Sequence, residues 1–204
     1  MTEDLWADLA ELGHDLPRAA LELYVAELHR WNQSIRLVGP KDIAGIRLQV
    51  IDALLPFVYL PARYPLVDIG SGAGLPGLAL ALVNPCAEIV CLEPRSKRVA
   101  FLRHVCRTLR LNHVKVIGAR TEATLAECPE LSRWASTVTA RAVADVASLL
   151  EAARPFLGPE GRVILPRGGE DRAAVPVGWK CTRSVAYRAP KALGSRQVLE
   201  FLPV

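Results

Sequence analysis

The segment Gly70-Ser71-Gly72-Ala73-Gly74-Leu75-Pro76-Gly77, with Asp68 two residues ahead of it, carries the residue types best suited to cradling a nucleotide-like ligand. Glycine lets a backbone turn sharply and lets a ligand approach closer than any Cβ would permit. The apolar run Leu66-Val67-Asp68-Ile69 before the loop reads as a strand, and Leu78 to Val83 after it as a helix. Glu93 ends the next apolar run, AEIVCLE, where a carboxylate can hold both hydroxyls of a ribose. The same letters contain Gly72-x-Gly74-x-x-Gly77, the dinucleotide fingerprint, so NAD competes with S-adenosylmethionine (SAM) as the ligand. Two details favour SAM. Asp68 would oppose a pyrophosphate but suits the methionine end of SAM, and Pro76 has no N–H to offer an anion-binding turn. A glycine turn with a purely structural purpose is the third reading.

The remaining residues narrow the chemistry that a methyl donor could serve. Transfer from a sulfonium is an in-line displacement, so alignment and exclusion of water are the main requirements. Exocyclic amine methylation calls for an Asn/Asp-Pro-Pro-aromatic loop after the fourth strand, where this chain has Thr139-Ala140-Arg141-Ala142-Val143. Cytosine C5 methylation calls for a cysteine nucleophile there; Cys86 lies before the second strand and reads as a small core or loop residue. A ring nitrogen such as guanine N7 has an exposed lone pair and no proton to remove. An arginine that positions the guanine or its phosphate then suffices, and Arg141 follows directly on an apolar strand, at the sheet edge where such folds bind ligands. Glu122, just past the third strand, either approaches the adenine or is simply an acid at a helix N-terminus.

The elements that must position these residues are legible as a change of period. Residues 5 to 60 read as helical: Leu21, Tyr24, Val25, Leu28 and Trp31 form one apolar stripe, and Ile43, Ile46, Val50, Leu54 and Phe57 form another. Asp15 and Asp42 are candidate N-caps, with breaks at Gly39-Pro40 and Pro61. From residue 65 short apolar runs alternate with helical segments: PLVDIG, the helix through Val83, AEIVCLE, a helix from Ser96 to Leu111, and HVKVIGA. STVTARAV and GRVILP flank a helix through Asp145 to Phe156, and WKCTRSVAYRAP with QVLEFLPV closes the chain as a hairpin. The expected fold is α/β: a Rossmann-like methyltransferase core over 63–204, seven-stranded and mostly parallel with a terminal antiparallel hairpin. A helical extension over 1–62 packs on it.

Composition sets outer bounds. At 204 residues and 51% hydrophobic the chain can bury one sizeable core. No apolar stretch approaches the length of a membrane span and the start lacks a signal-peptide pattern, so no membrane and a cytoplasmic location are expected. The five cysteines are odd in number, with no C-x-x-C pair and no histidines at zinc-finger spacing, which argues against disulfides and structural zinc. The net charge of +4 suits nucleic acid without establishing it. Arg95, Lys97, Arg98, Arg103, Arg107 and Arg110 cluster after Glu93, and Arg162, Arg167, Arg172, Lys180, Arg183, Arg188, Lys191 and Arg196 line the tail. They are a solvated surface or a phosphate-binding face. No heptad pattern indicates a coiled-coil dimer, so a monomer is expected.

On these residues the chain resembles the RsmG/GidB family, the bacterial 16S ribosomal RNA guanine-N7 methyltransferases, over nearly its full length. The matching stretches are Leu28-His29-Arg30-Trp31-Asn32, Ile51-Asp52, Val67 to Gly77, Ser96-Lys97-Arg98-Val99-Ala100-Phe101-Leu102, Ala119-Arg120-x-Glu122 and Ala140-Arg141-Ala142. The Gly-Leu-Pro-Gly extension and the Lys-Arg-x-x-Phe-Leu helix are more specific than the glycine loop itself. The resemblance implies SAM bound by Asp68, Gly70, Ser71, Gly72, Gly74, Leu75, Glu93, Ala119, Arg120, Glu122 and Arg141. It also implies that Arg141 and Arg167 act on a guanine of 16S ribosomal RNA or the 30S subunit, with no metal. Departures from the family pattern stand at Arg36, Val38, Gln49 and Ala53, and the usual Leu-Lys-Gly is Leu165-Pro166-Arg167-Gly168. They leave open a small-molecule methyltransferase or a non-catalytic SAM- or RNA-binding protein. The plainer readings are Trp31 as core, Asn32 as a helix-end or interface residue, and Lys97 and Arg98 as the solvated start of a helix. Arg103, Arg107 and Arg110 then form one exposed helix side.

Overall fold

A computed structural model describes residues 6, 9, 16–141, 145–169, 174–190 and 193–204. Asp15, Ala142, Val143, Arg172 and Lys191 lie outside them. Seven strands form one sheet in the order β3-β2-β1-β4-β5-β7-β6. β1 (Leu66–Ile69), β2 (Ile89–Leu92), β3 (Val114–Ile117), β4 (Ala135–Thr139) and β5 (Leu157–Gly168) pair in parallel. β7 (Arg196–Pro203) runs antiparallel between β5 and β6 (Trp179–Tyr187). The central strands carry apolar side chains on both faces, as parallel strands sandwiched by helices must. Leu66, Ile89 and Cys91 belong to one apolar cluster, whereas Val67, Val90 and Leu92, one residue out of phase, belong to the other.

The helices divide between the two faces. α4 (Gly77–Val83) and α5 (Ser96–Thr108) cover the first cluster, and α7 (Val146–Ala153) covers the second, with α6 (Thr121–Glu127) at its margin through Leu125. The expected helical front end is three helices, α1 (Arg18–Asn32), α2 (Ile43–Leu54) and α3 (Pro56–Tyr59), and they join the face of α4 and α5. Asn32 shapes the break between α1 and α2, accepting from the amides of Leu37 (2.8 Å) and Val38 (3.0 Å) and donating to the Pro40 carbonyl (2.8 Å). Asp42 then caps α2 as the sequence indicates, accepting from the Gly45 amide at 2.8 Å. The Glu22 carboxylate receives both Arg47 Nε (2.7 Å) and Nη2 (2.8 Å), tying α1 to α2. Arg162 on β5 binds Glu200 on β7 and the Pro61 carbonyl, anchoring the end of the front segment to the hairpin.

Several boundaries differ from the sequence reading for local reasons. α5 stops at Thr108 rather than Leu111, because Arg110 takes φ +54° and the Leu111 amide closes back on the Cys106 carbonyl at 2.8 Å. Arg110 therefore lies past the helix and does not share its side with Arg103 and Arg107. The helix expected over Asp145 to Phe156 begins one residue later, with Asp145 accepting from the Ala147 amide, and ends in a 3-10 turn over Arg154–Phe156. Trp31 is half-buried rather than enclosed, its ring edge-on to Phe101 at 5.6 Å. Cys86 is an exposed loop residue. Among the described residues no helix is long and apolar enough to cross a membrane.

Candidate functional site

The glycine loop runs from the carboxyl end of β1 into α4. Gly70, Gly72 and Gly74 have φ of +68°, +56° and +81°, a region costly for any residue with a Cβ. Nothing lies within 4 Å of where a Cβ on Gly70 would stand, so the loop faces open space there. Gly77 answers a different constraint: a Cβ on it would meet Asp68 Oδ2 at 2.7 Å and Cys91 Sγ at 2.9 Å. Ser71 is buried and bound within the loop, its Oγ donating to the Asp68 carbonyl at 2.9 Å and its carbonyl accepting from the Gly74 amide at 2.7 Å. Leu75 sends its side chain into the core, so toward a ligand it offers backbone alone.

Asp68 is fully enclosed beneath this loop. Its Oδ2 accepts from the Gly77 amide at 2.9 Å, and its Oδ1 has no hydrogen-bond partner among the described residues. Burial pushes the carboxyl up to about 7, against the opposing pull of the Gly77 amide, Ser71 and Arg141. A buried carboxylate oxygen left without a donor is costly, and a cationic ligand group is the natural remedy. Glu93, at the end of β2, is held by two backbone donors: Gly72 N to Oε2 and Arg95 N to Oε1, both at 2.9 Å. Each oxygen keeps a further lone pair for a hydroxyl. Arg98 Nη1 stands 3.8 Å from Glu93 Oε2.

The loop is braced from the front end by a residue that the apolar stripe disguised. Tyr24 on α1 is fully buried, and its hydroxyl donates to the Ala73 carbonyl at 2.6 Å. The third expected segment sits where β3 leads into α6. The Glu93 amide donates to the Ile117 carbonyl at 3.1 Å, so the ends of β2 and β3 are adjacent. Ala119 is buried, Arg120 precedes α6, and Glu122 is exposed in its first turn. Neither Arg120 nor Glu122 makes a side-chain bond to the glycine loop or to Glu93 among the described residues.

Arg141 emerges beyond β4 and meets α2. Its Nη1 donates to the Gln49 carbonyl and its Nη2 to Gln49 Oε1, both at 3.2 Å, and Asp52 Oδ2 lies 3.8 Å away. Burial lowers its pKa from the ordinary arginine value, offset by the charge of Asp52 and by Tyr24 and Asp68. It borders a cavity of about 420 Å³ shared with Gln49, Asp52, Pro166, Arg167, Gly168, Tyr187 and Arg196. Arg196 donates its Nε to Asp52 Oδ1 at 2.7 Å, whereas Arg167 has no side-chain partner among the described residues. The cavity thus sets three arginines against one carboxylate. It suits a polyanion's nucleotide better than an uncharged molecule.

Arg141 and Arg167 come together as the sequence indicates, while Gln49, Asp52, Tyr187 and Arg196 were not singled out as site residues. A polar pair three apart on a largely apolar helix, Gln49 and Asp52, was the available signal. Of the departures, Gln49 binds Arg141, whereas Val38 and Ala53 are buried in the first apolar cluster.

Comparison with known proteins gives one consistent result. The family model GidB, rRNA small subunit methyltransferase G, matches residues 18–178. A Wolinella succinogenes protein named ribosomal RNA small subunit methyltransferase G is 38% identical, the alignment covering 72% of this chain and 74% of that one. A Polynucleobacter asymbioticus protein of the same name is 34% identical across 100% of this chain and 97% of its own length. Among solved structures, TrmN from Thermus thermophilus aligns with a TM-score of 0.54 at 17% identity, covering 76% of this chain and 49% of that one. A SAM-dependent methyltransferase from Aquifex aeolicus aligns at 0.51 and 14% identity, covering 68% and 81%. Both structural likenesses speak to the fold alone.

Proposed function

The chain belongs to the GidB family, rRNA small subunit methyltransferase G, and from that membership we propose that it moves a methyl group from SAM to N7 of a guanine in 16S ribosomal RNA. Residues 63–204 serve as the SAM-binding core, and 1–62 as an extension that braces the glycine loop and walls the acceptor cavity. The residues present fit the cofactor. Gly70 leaves the backbone open, Glu93 is oriented to accept from ribose hydroxyls, and the unpartnered Asp68 Oδ1 awaits a cation at the methionine end. SAM, bound there, supplies an electrophilic methyl on a sulfonium. Ala119, Arg120 and Glu122 are assigned the adenine side.

The observation that carries the reading is the position of Arg141. It follows β4 at the carboxyl edge of the sheet, two residues beyond the partner of Asp68 on β1, and lies 3.8 Å from Asp52 in the acceptor cavity, so it stands between the donor loop and that cavity. Gln49 and Asp52 hold its guanidinium in one orientation, which preorganises it without cost at the moment of transfer. Arg167 and Arg196 supply cations for the phosphate or the guanine edge. Guanine N7 needs no deprotonation, in keeping with a cavity whose polar side chains are arginines, one glutamine, one tyrosine and a carboxylate already paired with arginine.

The test is transfer of labelled methyl from SAM to 30S subunits or 16S RNA lacking the modification, with the product base identified by mass spectrometry. Label on guanine N7, lost in Gly72→Asp and in Arg141→Ala, is the expected result. Binding of SAM without label on any RNA would overturn the assignment.

A further inference from the structure

A second basic cavity lies outside the site just described. It encloses about 630 Å³ between the α1–α2 connection and the start of α5, and its polar lining is Ser34, Arg36, Arg95, Ser96, Lys97 and Arg98. Arg36, Arg95 and Lys97 are exposed, and none of their side chains has a hydrogen-bond or ion-pair partner among the described residues. Arg98 faces Glu93 at 3.8 Å, and Glu93 is itself enclosed, with both oxygens held by backbone amides. Four cations from two separate segments therefore line one concavity, and the neighbouring carboxylate, Glu93, has both oxygens engaged by backbone amides. Like charges gathered in a concave surface repel one another and focus a positive potential into it. Two serine hydroxyls stand among them as neutral donors. The first turn of α5 also opens here with no acidic residue, which adds to that potential.

We infer that this cavity holds a phosphodiester of the RNA strand beside the target nucleotide, gripped chiefly by Arg36, Arg95 and Lys97. The inference rests on RNA being the substrate. Its chemistry is that of backbone positioning: guanidinium and ammonium groups at a phosphate fix the strand's place and carry no base information. Through Arg98 the cavity borders Gly72 and Glu93, so a strand seated in it runs alongside the donor loop rather than across the distant face of the sheet. Arg36 matters because it belongs to the front extension. It would make the α1–α2 connection part of the RNA-binding surface as well as a brace for the loop.

The experiment compares the full-length parent with Arg36→Glu/Lys97→Glu and, as a control, with Arg107→Glu/Arg183→Glu, two exposed arginines outside the cavity. Each is assayed for SAM affinity, for 30S methylation, and for RNA affinity over a range of salt. In the cavity variant we expect unchanged SAM affinity and kcat, an RNA KM raised about tenfold or more, and a log K against log[salt] slope shallower by about 1 to 2. The control is expected to move KM and slope by less than half as much. A cavity variant matching a parent that labels RNA, or a control with an equal effect, overturns the phosphate site alone. A parent that neither binds nor labels RNA overturns the assigned substrate, and this inference with it.

Discussion

Replacing Asp68 with Asn would test the electrostatics beneath the glycine loop. Burial lifts this carboxyl from 3.8 to about 7 in the folded chain. At about 1.4 kcal/mol per pH unit, that displacement comes to roughly 4 kcal/mol. The sign follows from proton binding. Between the two values the folded chain holds a proton that the unfolded chain has released, so this contribution is present in full below the unfolded value and is lost as pH rises through the folded one. Asn has no proton to lose, and its side-chain oxygen can still accept from the Gly77 amide. The stability of Asp68→Asn relative to the parent should therefore climb by about 2–3 kcal/mol between pH 5 and pH 8. Guanidinium chloride unfolding of both chains at each pH measures it, provided m is the same for the two. A constant cost from the new amide group would displace the whole difference curve and leave its slope intact. A difference that does not change with pH would refute the burial argument and would mean that the folded carboxyl is already ionised throughout this range.

Two further substitutions probe the braces on either side of Arg141. Tyr24→Phe removes the hydroxyl from the Ala73 carbonyl and should destabilise the chain by about 1–2 kcal/mol in denaturant unfolding. Because Ala73 is part of the glycine loop, the same variant should bind SAM several-fold more weakly by calorimetry. Asp52→Ala deprives Arg196 and Arg141 of their shared carboxylate. Its kcat should fall on the order of 100-fold while its SAM affinity stays that of the parent, and an unchanged kcat in single-turnover transfer would show that Arg141 needs no such anchor.

How much of this was legible in sequence depended on whether the signal was local. β1 and β2 announced themselves because both faces of each are covered, which turns alternation into short apolar runs, whereas β3, at the sheet edge, alternates around the exposed Lys115. The glycine loop and Glu93 were equally plain, since positive φ and a strand-end carboxylate each leave one characteristic letter. Helix ends were less so, because Arg110 terminates α5 with a left-handed turn that sequence assigns to glycine or asparagine. Leu75 was placed with the ligand because its neighbours are, yet its side chain turns into the core. Tyr24 was read by its ring alone. The acceptor cavity stayed hidden for a deeper reason: Gln49, Asp52, Tyr187 and Arg196 come from α2 and from the terminal hairpin. α2 reaches Arg141 through Gln49, and the insertion of β7 between β5 and β6 brings the hairpin to the same cavity.

That insertion also separates the two halves of the site by their distance along the chain. The glycine loop, Glu93 and Tyr24 all lie within residues 24–93, close together along the chain. The acceptor cavity draws on a far longer stretch of chain, because the bond from Arg196 to Asp52 spans 144 residues. A chain cut ahead of β6 would keep the residues of the glycine loop and Glu93 but lose Tyr187 and Arg196, two of the walls against which a base would be presented.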